Sequence, residues 1–165
     1  RKESSAASDV YKRQIQSGKK ISLLDVRKPM TLFAGGHGLS STADDYLRFC
    51  QMMLNGGVLH NVRILSNKTV AYMSANHLNE NISKGSLYLP GPGYGFGLGF
   101  ATRLETGQSV WPGSIGEYFW AGYGGTYFWI DPKEQLTVSF MSQDPYRRNE
   151  HRVLVRNLVY QSIID

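Results

Sequence analysis

The chain has 165 residues, 41% hydrophobic and 19% charged, which suits one globular domain. Its longest apolar stretches fall far short of the roughly 20 residues a membrane span needs, and a single cysteine, Cys50, excludes an intrachain disulfide or a thiolate metal site. Part of the net charge of +5 sits in Arg1, Lys2, Lys12, Arg13, Lys19 and Lys20, without the basic stripe and stacking aromatics that a nucleic-acid surface requires, so no nucleic-acid partner is expected.

Arg1–Gln14 is polar and carries neither a helical nor a strand period. Its string Ser8 to Gln14 resembles the translation of a transposon-end adaptor used in sequencing libraries. Residues 1–14 are therefore expected to be a non-native or disordered leader, and 15–165 the domain proper. A natural disordered tail is the alternative. Between Ile15 and Phe33 one apolar run (Ile21, Leu23, Leu24, Val26) ends at Lys28-Pro29 and fits a short strand or an extended connection. Gly35-Gly36-His37-Gly38 then breaks the chain.

Ser41-Thr42-Ala43-Asp44-Asp45 reads as a helix start, because a hydroxyl can cap a free backbone N–H and acids favour the positive end of the helix dipole. Ala43, Tyr46, Leu47, Cys50, Met53 and Leu54 follow at helical spacing, and Asn55-Gly56-Gly57 can end the helix in the left-handed region. On that face Cys50 reads as a small buried hydrophobe. Ser66 is expected to cap a second helix through Val70, Ala71 and Met73, ending before Asn76-His77. Residues 79–92 are polar, contain Pro90-Gly91-Pro92 and read as a loop.

From Tyr94 the period changes to two. Tyr94, Phe96, Leu98 and Phe100 alternate with Gly95, Gly97, Gly99 and Ala101, which predicts a strand with a close neighbour on its bare face. Further strands are predicted at 118–121, 126–130 and 136–141, the last two joined by the turn Asp131-Pro132-Lys133-Glu134. A last helix starts near Asn149, with Leu154, Val155, Leu158, Val159 and Ser162 as its apolar stripe. The expected fold class is α+β: an antiparallel β-meander packed against a C-terminal helix, with two helices before it.

The chemistry-bearing residues are sparse. The four histidines (37, 60, 77 and 151) are isolated, so no metal is expected, and nothing in the pattern requires a cofactor. There is no GxSxG elbow, and the glycines at 91–99 read as strand-internal. The suggestive stretch is Phe119 to Pro132. Small residues there, Ala121, Gly122, Gly124 and Gly125, follow a short strand and would let a substrate approach the backbone. An exposed strand N–H could then bind an oxyanion. On spacing alone, a glycine-rich hairpin in an aromatic core fits equally.

Taken together, Gly35-Gly36-x-Gly38-Leu39-x-Ser41-Thr42-Ala43-x-Asp45-Tyr46-x-Arg48-Phe49, then Asn55-Gly56-Gly57, Leu65-Ser66-x-Lys68-Thr69-Val70, Tyr94–Phe100, Gly122–Pro132 and the last helix resemble the serine β-lactamase superfamily. That superfamily includes class C β-lactamases, D-alanyl-D-alanine carboxypeptidases and related esterases. The resemblance implies a partial β-lactamase-like transpeptidase fold and a serine hydrolase acting through an acyl-enzyme on carboxylic esters or β-lactam and peptide-like amides. It also implies an SxxK serine and lysine, a YxN-type tyrosine, and a third motif, often KTG, on an edge strand. Trp120-Ala121-Gly122 matches that third position with Trp120 in place of the lysine, and the Tyr123 N–H would be half of the oxyanion hole. Ala121, Gly124 and Gly125 would line the substrate.

Ser17-Gly18-Lys19-Lys20 has the SxxK letters but lies too near Gly35 and lacks a following helical stripe. Tyr72-Met73-Ser74 and Tyr160-Gln161-Ser162 are loose YxS strings inside predicted helices. The nucleophile is therefore expected upstream of this chain, which by itself should be inactive and poorly stable. An indole offers no cation to a substrate carboxylate, which tilts the reading towards neutral esters. A non-catalytic, penicillin-recognising sensor of the same fold is the alternative, and a plain structural domain the other rival. Compartment and any membrane anchor stay open.

Overall fold

The computed structural model describes residues 40–82, 84–85 and 88–164. The chain divides into two compact units, Arg1–Ser41 and Thr42–Asp165, and of the first only Ser40 and Ser41 are described. The leader at 1–14, Ser17–Lys20, the run at Ile21–Val26 and the break at Gly35–Gly38 lie outside the described residues.

Helix α1 (Ala43–Leu54) begins where the hydroxyl pattern places it. The Thr42 side chain accepts a hydrogen bond from the Asp45 N–H at 3.1 Å, and Asp44 and Asp45 fill the first turn; such a cap is worth about 1 kcal/mol. Gly56 and Gly57 end the helix at φ +62° and +94°, and a Cβ on Gly57 would lie 2.1 Å from the Leu65 carbonyl oxygen. A short hairpin, β1 (Val58–Leu59) and β2 (Val62–Arg63), leads to α2 (Asn67–Ser74), capped by Ser66 on the Thr69 N–H at 3.0 Å.

A five-stranded antiparallel meander follows in sequence order: β3 (Tyr94–Phe96), β4 (Ala101–Arg103), β5 (Tyr118–Ala121), β6 (Tyr127–Asp131) and β7 (Leu136–Phe140). Helix α3 (Arg148–Gln161) closes the chain. The fold is α+β, as the periodicities imply.

The alternating run from Tyr94 is not one strand. It folds back as a hairpin whose turn is Gly97–Gly99, with Phe96 opposite Ala101, the Gly97 N–H on the Phe100 carbonyl at 2.7 Å, and Gly99 at φ +89°. Gly97 and Gly99, read as strand-internal, are turn residues. The bare face does have close neighbours: a Cβ on Gly95 would sit 2.3 Å from Asn76 Oδ1, and one on Gly97 2.3 Å from the Met73 carbonyl.

The sheet is covered on both faces. Phe100, Tyr118, Phe128 and Ile130 meet Cys50, Met52 and Met53 of α1 and Val70 of α2. Tyr94, Ala101, Phe119, Tyr127 and Trp129 meet Val155, Val159 and Tyr160 of α3. β6 is buried along its whole length because it feeds both layers. Cys50 is fully buried, and burial pushes its thiol up to about 12, as befits a core hydrophobe.

Under α3 the core is polar. Glu117, fully buried, accepts from Arg103 Nε at 2.7 Å, from the Tyr94 hydroxyl at 2.7 Å and from the Arg156 guanidinium. Burial pulls Arg156 down to about 10, while Tyr94 and Tyr160 hold it up, so it stays charged at neutral pH. This cluster turns α3 away from the apolar stripe expected of it. Leu154 and Leu158 are exposed, and Arg156 with Val155, Val159 and Tyr160 faces inward. Hydrophobicity along the helix could not register that a buried carboxylate on the β4–β5 connection draws an arginine inside.

Candidate active site

β5 runs between β4 and β6, but its two edges are not equally paired. Against β6 the register is complete, from Tyr118↔Ile130 to Ala121↔Tyr127. Against β4 it stops at Phe119↔Ala101, because the chain beyond Ala101 is the Gly97–Gly99 turn. The motif expected on an edge strand therefore lies on an interior strand, whose last two residues, Trp120 and Ala121, form a local edge. In an antiparallel strand successive residues turn their N–H and C=O to opposite sides. The Gly122 N–H reaches the Thr126 carbonyl at 2.9 Å, towards β6, so the Ala121 backbone faces the open side.

The turn Gly122–Gly125 continues that edge. The peptide bonds are trans, so the Tyr123 N–H points opposite to the Gly122 carbonyl. That carbonyl is occupied twice, by the Gly125 N–H at 3.2 Å and by Arg152 Nη2 at 2.5 Å. Among the described residues the Tyr123 and Gly124 N–H groups donate no hydrogen bond. Gly125 adopts φ +117°, and a Cβ there would lie 2.4 Å from Ser142 Oγ; Gly124 has open space around it. An unpaired, outward N–H beside small residues is a ready donor for a carbonyl oxygen gaining negative charge.

Trp120 is half-buried. Its indole meets the Phe96 ring edge-on at 4.9 Å and borders both apolar clusters without entering either fully. The Tyr123 ring is 66% exposed and carries the Arg148 guanidinium over its face at 4.8 Å. Together these six residues, Trp120 through Gly125, form one continuous surface: an apolar indole, a bare backbone step and an exposed phenol.

The first two turns of α3 supply what the sequence did not reveal. Arg152 donates to the Gly122 carbonyl and, at 3.4 Å, to that of Thr126, and Arg148 stacks on Tyr123. Their spacing of four residues was the only sequence signal, and it looks like any solvated helix face. Tyr72 lies exposed on α2 against the His77 ring, and the Tyr160 hydroxyl is spent on Asp131 (2.7 Å) and Glu117 (3.1 Å). A depression of about 470 Å³ beside Ser114, Glu134 and Tyr160 lies at the opposite end of β6, where Ser114 Oγ already bonds Glu134. Among the described residues no three of His, Cys, Asp and Glu gather as a metal site.

Known proteins place this architecture. The Beta-lactamase family profile matches residues 3–160. Two Mycobacterium tuberculosis proteins, the "Uncharacterized protein MT1414" of strain CDC 1551 / Oshkosh and "Protein Rv1367c" of strain ATCC 25618 / H37Rv, are each 37% identical over 124 residues, covering 72% of this chain and 30% of their own length. Among solved structures, "EstCE1, a hydrolase with promiscuous acyltransferase activity" is similar at 26% identity and a TM-score of 0.59, over 72% of this chain and 29% of its own. Unliganded Simvastatin Synthase (LovD) from Aspergillus terreus shares the fold at 22% identity and a TM-score of 0.52, over 71% and 34%. The matches thus span about a third of these proteins. The fold is that of a β-lactamase-like hydrolase, and the chain belongs to the Beta-lactamase family.

Proposed function

We propose that this chain is the C-terminal part of a serine hydrolase that forms an acyl-enzyme on carboxylic esters, with β-lactam or peptide-like amides as the second substrate class. Its contribution is one wall of the active site. Trp120 supplies an apolar face for the substrate, Gly122 lets the backbone come close, and the Tyr123 N–H donates to the tetrahedral oxyanion. Ala121, Gly124 and Gly125 leave room for the acyl group. The nucleophilic serine, its lysine and the tyrosine base come from sequence upstream of this chain.

The observation that carries this reading is the local edge of β5. Pairing with β4 stops two residues before the strand ends, and the next outward N–H, on Tyr123, has no partner among the described residues. The similarity to EstCE1, by its printed description a hydrolase with promiscuous acyltransferase activity, supports acyl transfer. The indole at Trp120, where a cation would greet a carboxylate, supports the preference for neutral esters.

The test is hydrolysis of p-nitrophenyl esters and nitrocefin by two proteins: this 165-residue chain and the product of the whole gene. The whole product should turn over the esters faster than nitrocefin and carry the acyl group on an SxxK serine by mass spectrometry. Rapid turnover by the 165-residue chain alone would sink the upstream nucleophile. A whole gene with a substituted serine, and a product that only binds penicillin, would make it a sensor instead.

A further inference from the structure

Building on the reading of the Tyr123 N–H as an oxyanion donor, we propose that Arg152 is the positioning residue for that donor: seated on the Gly122 carbonyl, its guanidinium sets the plane of the Gly122–Tyr123 peptide and polarises it.

The peptide unit links the two groups directly. Its carbonyl and its N–H lie in one rigid plane and point in opposite directions, so whatever holds the Gly122 oxygen aims the Tyr123 hydrogen. Arg152 Nη2 lies 2.5 Å from that oxygen, a charge-assisted contact, and the Gly125 N–H takes its second lone pair at 3.2 Å. The same Nη2 reaches the Thr126 carbonyl at 3.4 Å, which is the acceptor of the Gly122 N–H. One guanidinium therefore spans both ends of the turn, from a helix 30 residues further along the chain.

Arg152 is not spent elsewhere. Among the described residues it forms no ion pair; Nη1 touches Asn149 Oδ1 at 3.3 Å, and Nε is buried without a partner. The Tyr127 ring lies 5.9 Å from the guanidinium. Burial and the neighbouring Arg148 charge lower its pKa, the mark of a cation partly withdrawn from water, where its field on a carbonyl is less screened. A cation on the oxygen draws electron density through the amide and makes the N–H a stronger donor. Chains of hydrogen bonds gain roughly 10–30% per bond by such polarisation. The guanidinium faces the carbonyls of Gly122 and Thr126 and no carboxylate among the described residues.

Nuclear magnetic resonance on the labelled whole gene product tests this without catalysis. The wild-type protein should show scalar coupling across the hydrogen bond between the Arg152 guanidinium nitrogen and the Gly122 carbonyl carbon. Arg152→Met should move the Tyr123 amide proton upfield, with Gly124 moving less, and Arg152→Lys should lie between, since it keeps the charge but not the fork. Absence of the coupling in the folded wild-type chain, or a Tyr123 amide that stays put in Arg152→Met, overturns the proposal. If the Met variant does not fold, the wild-type coupling and the Lys variant decide. In the whole gene product, Arg152→Met should lower kcat for p-nitrophenyl esters roughly two- to eightfold with KM unchanged, and Lys should restore part. A raised KM at unchanged kcat would count against it. A whole product without any ester turnover would instead sink the hydrolase reading while leaving the resonance result to stand.

Discussion

Strand β6 begins and ends in turns built by opposite means. At its far end, Asp131-Pro132-Lys133-Glu134 closes on its own carboxylate: buried Asp131 Oδ1 accepts from the Lys133 and Glu134 N–H groups of the turn, while Oδ2 accepts from the Ser114 N–H and the Tyr160 hydroxyl outside it. At its near end, Gly122–Gly125 has no polar side chain of its own apart from the outward Tyr123. Its Gly122 carbonyl is held by an arginine from α3 and its Gly125 carbonyl by the Ser142 hydroxyl at 3.1 Å, and two of its N–H groups face outward without partners among the described residues. The first turn is closed by local chemistry and anchors the core. The second is held from behind, which leaves its front free to meet a ligand. Structural turns use up their donors; a binding turn keeps some in reserve.

The sharpest way to break that comparison is to attack the buried cluster around Glu117, which Tyr160 ties to Asp131 of the anchored turn. Arg156→Met leaves the Glu117 carboxylate buried with half its cationic support and should cost about 3–5 kcal/mol of stability by urea unfolding. A loss below 1 kcal/mol would show that the buried cluster is not what holds α3 to the sheet. At the Gly122–Gly125 end the effects should be smaller and graded by position. Gly125→Ala meets both φ +117° and Ser142 Oγ, and should cost roughly 1–3 kcal/mol. Gly124→Ala, with nothing within 4 Å, should change stability by no more than about 0.5 kcal/mol in the same denaturation experiment. Equal costs at the two glycines would mean that the turn is uniformly packed, and the contrast with Asp131–Glu134 would fail.

Much of this arrangement could be read in advance, and the exceptions share a cause. Thr42 and Ser66 cap their helices as their positions imply, because a cap is a contact across three residues. Strands β5 to β7 form within a residue of the segments expected at 118–121, 126–130 and 136–141, because neighbouring hairpin strands are close in the chain. The run from Tyr94 misled, since alternation says nothing of where a glycine will take positive φ and reverse the chain at Gly97–Gly99. The face of α3 misled as well, because Arg156 points inward only to meet a carboxylate 39 residues away.

For the candidate site the same division holds. The sequence by itself determined which residues stand together, Trp120 through Gly125, because a strand end and a tight glycine turn are local and contiguous. Only the tertiary structure decided which backbone groups are left over. That depends on where β4 stops pairing and on Arg152 arriving from α3, and both are set by packing between segments distant in the chain. Periodicity carries no information about such meetings: the family resemblance pointed to the Tyr123 N–H as a donor, and only the folded chain shows that N–H without a partner among the described residues.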